Sequence, residues 1–252
     1  MRIGLATLDP PIVANLAARI RLAVGSGLRG AIVLIDSPRC PRDVAHATGE
    51  PIADAGPSRS LDRFLRKSAG ALLGPGARLS MFPTPPLSYF AAVCREPRCK
   101  PHLRAIAREV LHRESAGNAK RVAIKRGALF TRFMLCGFAA FKAFDLLGAR
   151  TYESYPELVF RLWSDSRKIP SKGRRVEALR VRADIMSLLV RRCGLAKARQ
   201  PASLDEVDAA VLALAASKAL STGSMLEVAH RGEGTFAIPL NPVHIARLRV
   251  SF

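Results

Sequence analysis

The sequence predicts an α/β fold in which helices flank a sheet, and three observations support this prediction. Residues 31–35 form a continuous apolar run, Ala-Ile-Val-Leu-Ile, which is typical of a buried parallel strand. Residues 12–24 carry apolar side chains at intervals of four, which is typical of a helix with one buried face. Helical and extended patterns then alternate along the chain, so we expect one domain over residues 1–252.

Local patterns predict the elements in order. Prolines are frequent over 37–100, so this region is predicted as loops around short helices, within an insertion of about 37–125. The apolar stretch 126–147 contains Arg132 and Lys142, which favours a buried helix over a membrane span. The expected elements are a strand at 2–8, a helix at 11–24, a strand at 31–35, helices near 61–69, 102–113 and 126–147, a strand at 149–155, helices at 174–193 and 205–220, and an extended segment at 235–239.

The chain of 252 residues is strongly basic, with a formal net charge of +20. A polyanionic partner is the usual reason for such an excess, because each neutralised phosphate releases counterions. The basic residues concentrate in two stretches, 95–126 and 161–199, which we expect to line a phosphate-binding surface. Alternatively, these stretches are solvated helix faces, and the excess arginine reflects the composition of a GC-rich genome.

The cysteine pattern indicates the cellular compartment of the chain and whether it can bind zinc. Five cysteines in a chain without a recognisable secretion signal predict reduced thiols in the cytoplasm. Cys94 and Cys99 lack the spacing of a zinc knuckle, and the histidines are scattered, so a zinc site is not expected. A glycine-rich phosphate loop and a GxSxG elbow are also absent from the sequence.

Acidic residues at the ends of predicted elements carry the candidate chemistry. Asp36 directly follows a strand, at the position where α/β sheets bind ligands, and Glu153 also ends a strand. Asp205 and Asp208 share one face at the start of the last predicted helix. Each also has an ordinary interpretation, because acids end strands in turns and stabilise the first turn of a helix, here with Ser203 as a cap.

Taken together, these carboxylates predict a metal site. Carboxylate oxygens suit Mg²⁺ or Mn²⁺, and like charges brought close together need a cation between them. Bound ions of this kind stabilise the attacking and leaving oxygens of phosphodiester cleavage. The expected metal ligands are Asp36, Glu153, Asp205 and Asp208, of which Asp36, Glu153 and Asp208 are the expected catalytic residues. The expected nucleic-acid contacts are Arg59, Arg63, Lys172, Arg174 and Arg175.

A series of short motifs follows one another between about residues 31 and 240. They are Leu34-Ile35-Asp36-Ser37-Pro38, Arg59 with Asp62-Arg63 and Leu65-Arg66, Met81-Phe82-Pro83-Thr84-Pro85, Glu153-Ser154-Tyr155-Pro156-Glu157, Ser171-Lys172-Gly173 with Arg180, Asp205-Glu206-Val207-Asp208-Ala209, and Glu233-Gly234 before Ile238-Pro239. In this order they resemble the domain of unknown function 429 family, a group of predicted nucleases with a ribonuclease H-like fold.

The resemblance implies a ribonuclease H-like mixed sheet flanked by helices. It implies that Asp36 is a strand-end metal ligand, that Glu153 is an acid of the fifth strand, and that Asp208, with Asp205, supplies the carboxylate of the last helix. Family members begin with a strand that ends in Gly-x-Asp, whereas only one short strand and one helix precede Asp36 here. We therefore expect the first two strands to be missing, through a late start site or a truncation, and the sheet to have an exposed edge.

These observations leave three hypotheses of function. The first is a metal-dependent nuclease, inactive in this form if the missing acid is indispensable. The second is a non-catalytic protein that binds nucleic acid. The third is an interaction protein whose charge reflects only genome composition. Salt-sensitive binding separates the first two from the third, and metal-dependent cleavage separates the first from the second.

Overall fold

The structure is a computed structural model, and it describes residues 10–42, 44–45, 52, 58–79, 84–95, 100–111, 127–164, 169–196, 199–230 and 232–241. Over these residues the chain has a mixed α/β fold, as predicted. The elements are α1 (Ile12–Val24), β1 (Ile32–Ile35), α2 (Ser60–Leu73), α3 (Leu87–Arg95), α4 (Pro101–Leu111), α5 (Gly127–Leu146), β2 (Arg150–Glu153), α6 (Pro156–Trp163), α7 (Arg175–Arg192), α8 (Leu204–Ser221), β3 (Met225–His230) and β4 (Gly234–Pro239).

Most predicted elements are confirmed, and three more were missed. The predicted strand at 2–8 lies outside the described residues. The missed elements are α3, α6 and β3. Helix α6 begins at Pro156, whose fixed φ angle and missing N–H suit the first turn of a helix. The predicted strand ended at residue 155, and no element was predicted between there and the helix at 174–193, which is why α6 was missed.

The strands form a mixed sheet in the order β1-β2-β4-β3 among the described residues. Strands β1 and β2 are parallel, and their register pairs Ile32 with Arg150 and Ile35 with Glu153. All four residues of β1 are half-buried, although the strand is entirely apolar. The prediction that β1 is buried was therefore wrong. Among the described residues β1 is a terminal strand of the sheet, and such a strand is shielded less than a central one.

The chain divides into two compact units. The first comprises Met1–Ser60, Phe82–Glu153 and Ala229–Gly234, and the second comprises Leu61–Met81, Ser154–Val228 and Thr235–Phe252.

In the first unit, α1, α4 and α5 pack around an apolar core that includes Ile12, Ile106 and Phe138. Glu109 of α4 accepts the backbone N–H groups of Ile12 and Val13 at 2.5 and 2.6 Å. This carboxylate therefore satisfies two of the N–H groups that the first turn of α1 leaves without helical partners.

In the second unit, α6, α7 and α8 pack against one another. Ser203 caps α8 by accepting the N–H of Glu206 at 3.2 Å, and the Glu206 carboxylate accepts the N–H of Ala202 at 2.6 Å. The predicted cap at Ser203 is therefore confirmed. Across the part of the chain that the structure describes, no helix combines the length and the apolar character needed to cross a membrane.

Candidate functional site

The carboxyl ends of β1 and β2 lie side by side in the first unit. Glu153 is the register partner of Ile35, and Asp36 is the next residue beyond Ile35. Asp36 is half-buried, whereas Glu153 is only 2% exposed. The prediction that both acids lie at strand ends is therefore confirmed.

The Glu153 carboxylate is held by two arginines. The guanidinium of Arg59, itself 4% exposed, donates from Nη1 to Oε1 at 2.6 Å and from Nη2 to Oε2 at 2.7 Å. The backbone N–H of Arg39 also donates to Oε1 at 2.6 Å. These three bonds neutralise the buried charge and occupy three of the roughly four lone-pair positions of a carboxylate.

The side chain of Arg39 ties the loop after β1 to its surroundings. Its Nη1 donates to the carbonyl oxygen and to Oγ1 of Thr151 in β2, at 3.0 and 2.8 Å. Its Nη2 donates to Oδ2 of Asp145 at 2.6 Å, and the guanidinium lies 5.1 Å from the centre of the Phe141 ring. Asp145 and Phe141 belong to α5, so Arg39 joins this loop to both β2 and α5.

The turn after β1 also approaches α5 closely. A Cβ atom added to Gly137 of α5 would lie 1.9 Å from Oγ and 2.3 Å from Cβ of Ser37. Real side chains do not approach so closely, so this contact requires glycine at position 137.

We expect Gly137→Ala to lower the free energy of unfolding by about 1–3 kcal/mol, because the added methyl group forces Ser37 or α5 to shift. Urea unfolding measures this change. The control is Gly70→Ala in α2, where an added Cβ meets no atom within 4 Å. In this control the free energy of unfolding should rise by about 0.4–1 kcal/mol, because alanine reduces the entropy of the unfolded chain. Equal effects in the two variants would contradict the close contact at Gly137.

Cys40 lies in the same loop as a buried thiol. Burial raises its pKa to about 12, while Arg59 acts to lower it and Glu153 to raise it. Its Sγ lies 3.1 Å from the carbonyl oxygen of Val44, to which it donates. The thiol is therefore neutral near pH 7 and is not an activated nucleophile. The described cysteines Cys40, Cys136 and Cys193 are free.

The raised pKa predicts how stability changes with pH. Above the ordinary thiol pKa of about 8.5, the unfolded chain loses this proton while the folded chain keeps it, so stability falls as pH rises towards 12. The slope reaches at most about 1.4 kcal/mol per pH unit. We expect the stability of the wild type relative to Cys40→Ala to fall between pH 8 and pH 10 in urea unfolding. A constant difference would show that the thiol ionises as easily when folded as when unfolded.

Asp208 lies in a different ion-pair network, in the second unit. Its Oδ1 accepts from Nη1 of Arg182 at 2.8 Å, and Nζ of Lys172 lies 2.6 Å from Oδ2. Arg182 also donates from Nη2 to Oε2 of Glu157 at 2.7 Å, and it lies 4.5 Å from the centre of the Phe160 ring. The side chain of Arg182 is 1% exposed and that of Asp208 is 5% exposed, so this central pair is buried, whereas Lys172 is 50% and Glu157 30% exposed.

The other predicted residues differ in exposure. Asp205 of α8 is exposed. Four of the five predicted nucleic-acid contacts are also exposed, namely Arg63, Lys172, Arg174 and Arg175. The fifth, Arg59, is buried.

Asp36 and Glu153 belong to the first unit, whereas Asp205 and Asp208 belong to the second. The described residues contain no group of three or more His, Cys, Asp or Glu that could hold a metal ion. The metal-ligand and catalytic roles of the four acids stay predictions.

Comparison with known proteins gives one match. The family model described as a protein of unknown function, DUF429, matches residues 12–231. The chain belongs to the DUF429 family. No curated protein and no solved structure matches it significantly.

Sequence reasoning missed Arg182 and Arg39, two arginines that join separate elements of this DUF429 protein through hydrogen bonds and ion pairs. Arg182 falls on the buried face of α7, between Ala178 and Ile185, and a single arginine on an apolar helix face is a signal that could have identified it. Arg39 carries no such signal, because its partners in β2 and α5 are more than 100 residues away in the chain.

Proposed function

We propose that this DUF429 protein is a metal-dependent nuclease of ribonuclease H-like architecture, in which Asp36 binds the divalent cation. The observation that carries the proposal is the parallel pairing of β1 with β2. This pairing brings Asp36 to the carboxyl ends of two adjacent strands, where open α/β sheets bind their ligands.

The chemistry of Asp36 suits Mg²⁺ or Mn²⁺. Mg²⁺ is commonly held by one or two carboxylates, with water and substrate phosphates completing its octahedron. The half-buried Asp36 supplies such an oxygen donor without requiring a cluster of three acidic residues. A cation bound there would stabilise the negative charge that develops at the phosphodiester during cleavage.

The distribution of charge supports a nucleic-acid substrate. The net charge is +20, and the segment before and into α7 exposes Lys172, Arg174 and Arg175. In α2 the exposed residues include Arg63, while the acid of its first turn, Asp62, is buried. Exposed cations of this kind bind phosphate groups through counterion release, which makes the affinity dependent on salt.

The test is cleavage of a panel of labelled single- and double-stranded DNA and RNA in Mg²⁺ or Mn²⁺. We expect the wild type to cleave at least one substrate and Asp36→Asn to lose cleavage, because the neutral amide binds a divalent cation poorly. The matched control is Asp184→Asn, which removes an exposed acid from α7 and should cleave like the wild type. Cleavage by Asp36→Asn at the wild-type rate would contradict the proposal and would point to a contaminating nuclease or another site.

One observation favours a second candidate, a non-catalytic protein that binds nucleic acid. The carboxylates of Glu153 and Asp208 are both paired with buried arginines. Binding that weakens steeply with salt, without cleavage of any substrate in the panel, would favour this candidate.

A further inference from the structure

We propose that Glu153 is a positioning residue and not a metal ligand: paired with Arg59, it fixes the turn that carries Asp36 through the backbone N–H of Arg39. This inference rests on the proposed function, since it assigns the cation to Asp36. It departs from the sequence-based expectation that Asp36 and Glu153 bind one ion together.

The first support is the direction of the side chains along β1 and β2. Register partners in parallel strands project from the same face of a sheet, and side chains alternate between faces along each strand. Ile35 and Glu153 are register partners, so they share a face. Asp36 and Ser37 lie beyond the end of β1, in a turn in which the N–H of Ser37 donates to the carbonyl oxygen of Ile35 at 2.9 Å.

Strand β2 identifies the face from which Glu153 projects. Thr151 lies two residues before Glu153 and on the same face. Its Oγ1 donates to Oδ1 of Asp145 in α5 at 2.6 Å. Glu153 consequently projects towards the α5 side of the sheet, where Arg59 and Arg39 bind it.

The second support is the use that the chain makes of the Glu153 oxygens. Oε1 accepts the backbone N–H of Arg39, three residues after Asp36, and both oxygens accept from Arg59. Removing the carboxylate would leave the N–H of Arg39 and the buried guanidinium without these bonds. The path of the turn after β1 therefore depends on this acceptor.

Arg59 acts through Glu153. Its guanidinium is nearly inaccessible and forms a bidentate pair with the carboxylate, so it balances a buried charge that would otherwise be costly. This geometry gives Arg59 a positioning role instead of the phosphate contact expected from the sequence.

Two double variants separate positioning from metal ligation. Arg59→Met with Glu153→Gln removes both charges but keeps an oxygen that accepts the N–H of Arg39. Arg59→Met with Glu153→Met removes the charges and the acceptor. Mn²⁺ binding is measured by calorimetry, with urea unfolding to verify that each variant is folded and Asp36→Asn as the reference for a lost ligand.

We expect the glutamine variant to bind Mn²⁺ about 10–100-fold more tightly than the methionine variant, the range found when groups that orient metal ligands are removed. Equal affinity in the two variants overturns the proposal. If the methionine variant does not fold, the Mn²⁺ affinity of the glutamine variant is compared with that of the wild type. An affinity close to that of the wild type supports the positioning role. A loss of affinity as large as in Asp36→Asn shows that Glu153 is a ligand and overturns the proposal.

Failure of the proposed function gives a different result. If the wild type neither binds Mn²⁺ nor cleaves nucleic acid, the nuclease proposal is refuted. The effect of Glu153 on the turn after β1 can still be measured. Amide hydrogen exchange at Ser37, Arg39 and Cys40 then provides the readout. Faster exchange in the methionine variant than in the glutamine variant supports the positioning role, and equal exchange in the two overturns it. If only the glutamine variant folds, exchange at these amides as slow as in the wild type supports the role, and faster exchange overturns it.

Discussion

Arg182→Met should lower the free energy of unfolding by about 3–5 kcal/mol, the range measured when one partner of a buried ion pair is removed. Arg182 bonds to both Asp208 and Glu157 and stacks on the Phe160 ring. Its loss leaves the buried carboxylate of Asp208 with Lys172, whose side chain is 50% exposed. Methionine fills similar space but supplies no donor, so the cost reflects lost charge compensation more than lost packing.

Urea unfolding of the wild type and Arg182→Met measures this effect. The matched control is Arg174→Met, because Arg174 is 74% exposed and its ion pair with Glu177 is 3.5 Å long. An exposed pair of this kind contributes little, so the control should change stability by no more than about 0.5 kcal/mol. Similar losses in the two variants would mean that the network around Arg182 is not buried as described.

Glu153→Met should have a comparable cost, about 3–5 kcal/mol, for a related reason. The substitution takes the Glu153 carboxylate away from the buried Arg59 guanidinium. It also removes the acceptor for the backbone N–H of Arg39. An unsatisfied buried donor adds its own penalty to that of the uncompensated charge.

The double variant Arg59→Met with Glu153→Met tests the origin of that cost. Replacing a whole buried ion pair by apolar residues is often neutral or stabilising, so the double variant should recover most of the stability lost in Glu153→Met. A double-mutant cycle, measured by urea unfolding, gives the coupling between the two positions. If the stability loss of the double variant equals the sum of the losses in the two single variants, Arg59 and Glu153 do not interact in the folded protein.

The secondary structure was predictable where local patterns are strong. The apolar run of β1 and the periodic helices α1, α4, α5, α7 and α8 were all predicted near their observed positions. Helices α3 and α6 begin beside prolines. The prolines before α3 were placed in a predicted loop region, and no helix was predicted directly after Pro156. The same residue type starts helices and ends them, so composition alone does not distinguish the two cases.

The candidate site was predictable only in part. Asp36 was expected at a strand end because it follows an apolar run, and Glu153 because it falls at the end of the strand predicted at 149–155; the structure confirms those positions. Their chemical partners were not predictable. Arg59 pairs with Glu153 across 94 positions of the chain, and Arg182 pairs with Asp208 across 26. No local pattern encodes a contact at such a separation.

The sequence by itself determined the α/β class, the basic charge and the acids at the ends of β1 and β2, because these follow from residue order and composition. The tertiary structure alone decided which cations neutralise Glu153 and Asp208, and that Glu153 projects from the face of the sheet that meets α5. The physical reason is that a buried carboxylate must be paired, and its partner is whichever donor the packing of distant segments brings within hydrogen-bonding distance. For Glu153 that partner is Arg59, and for Asp208 it is Arg182, so both acids lie in buried ion pairs.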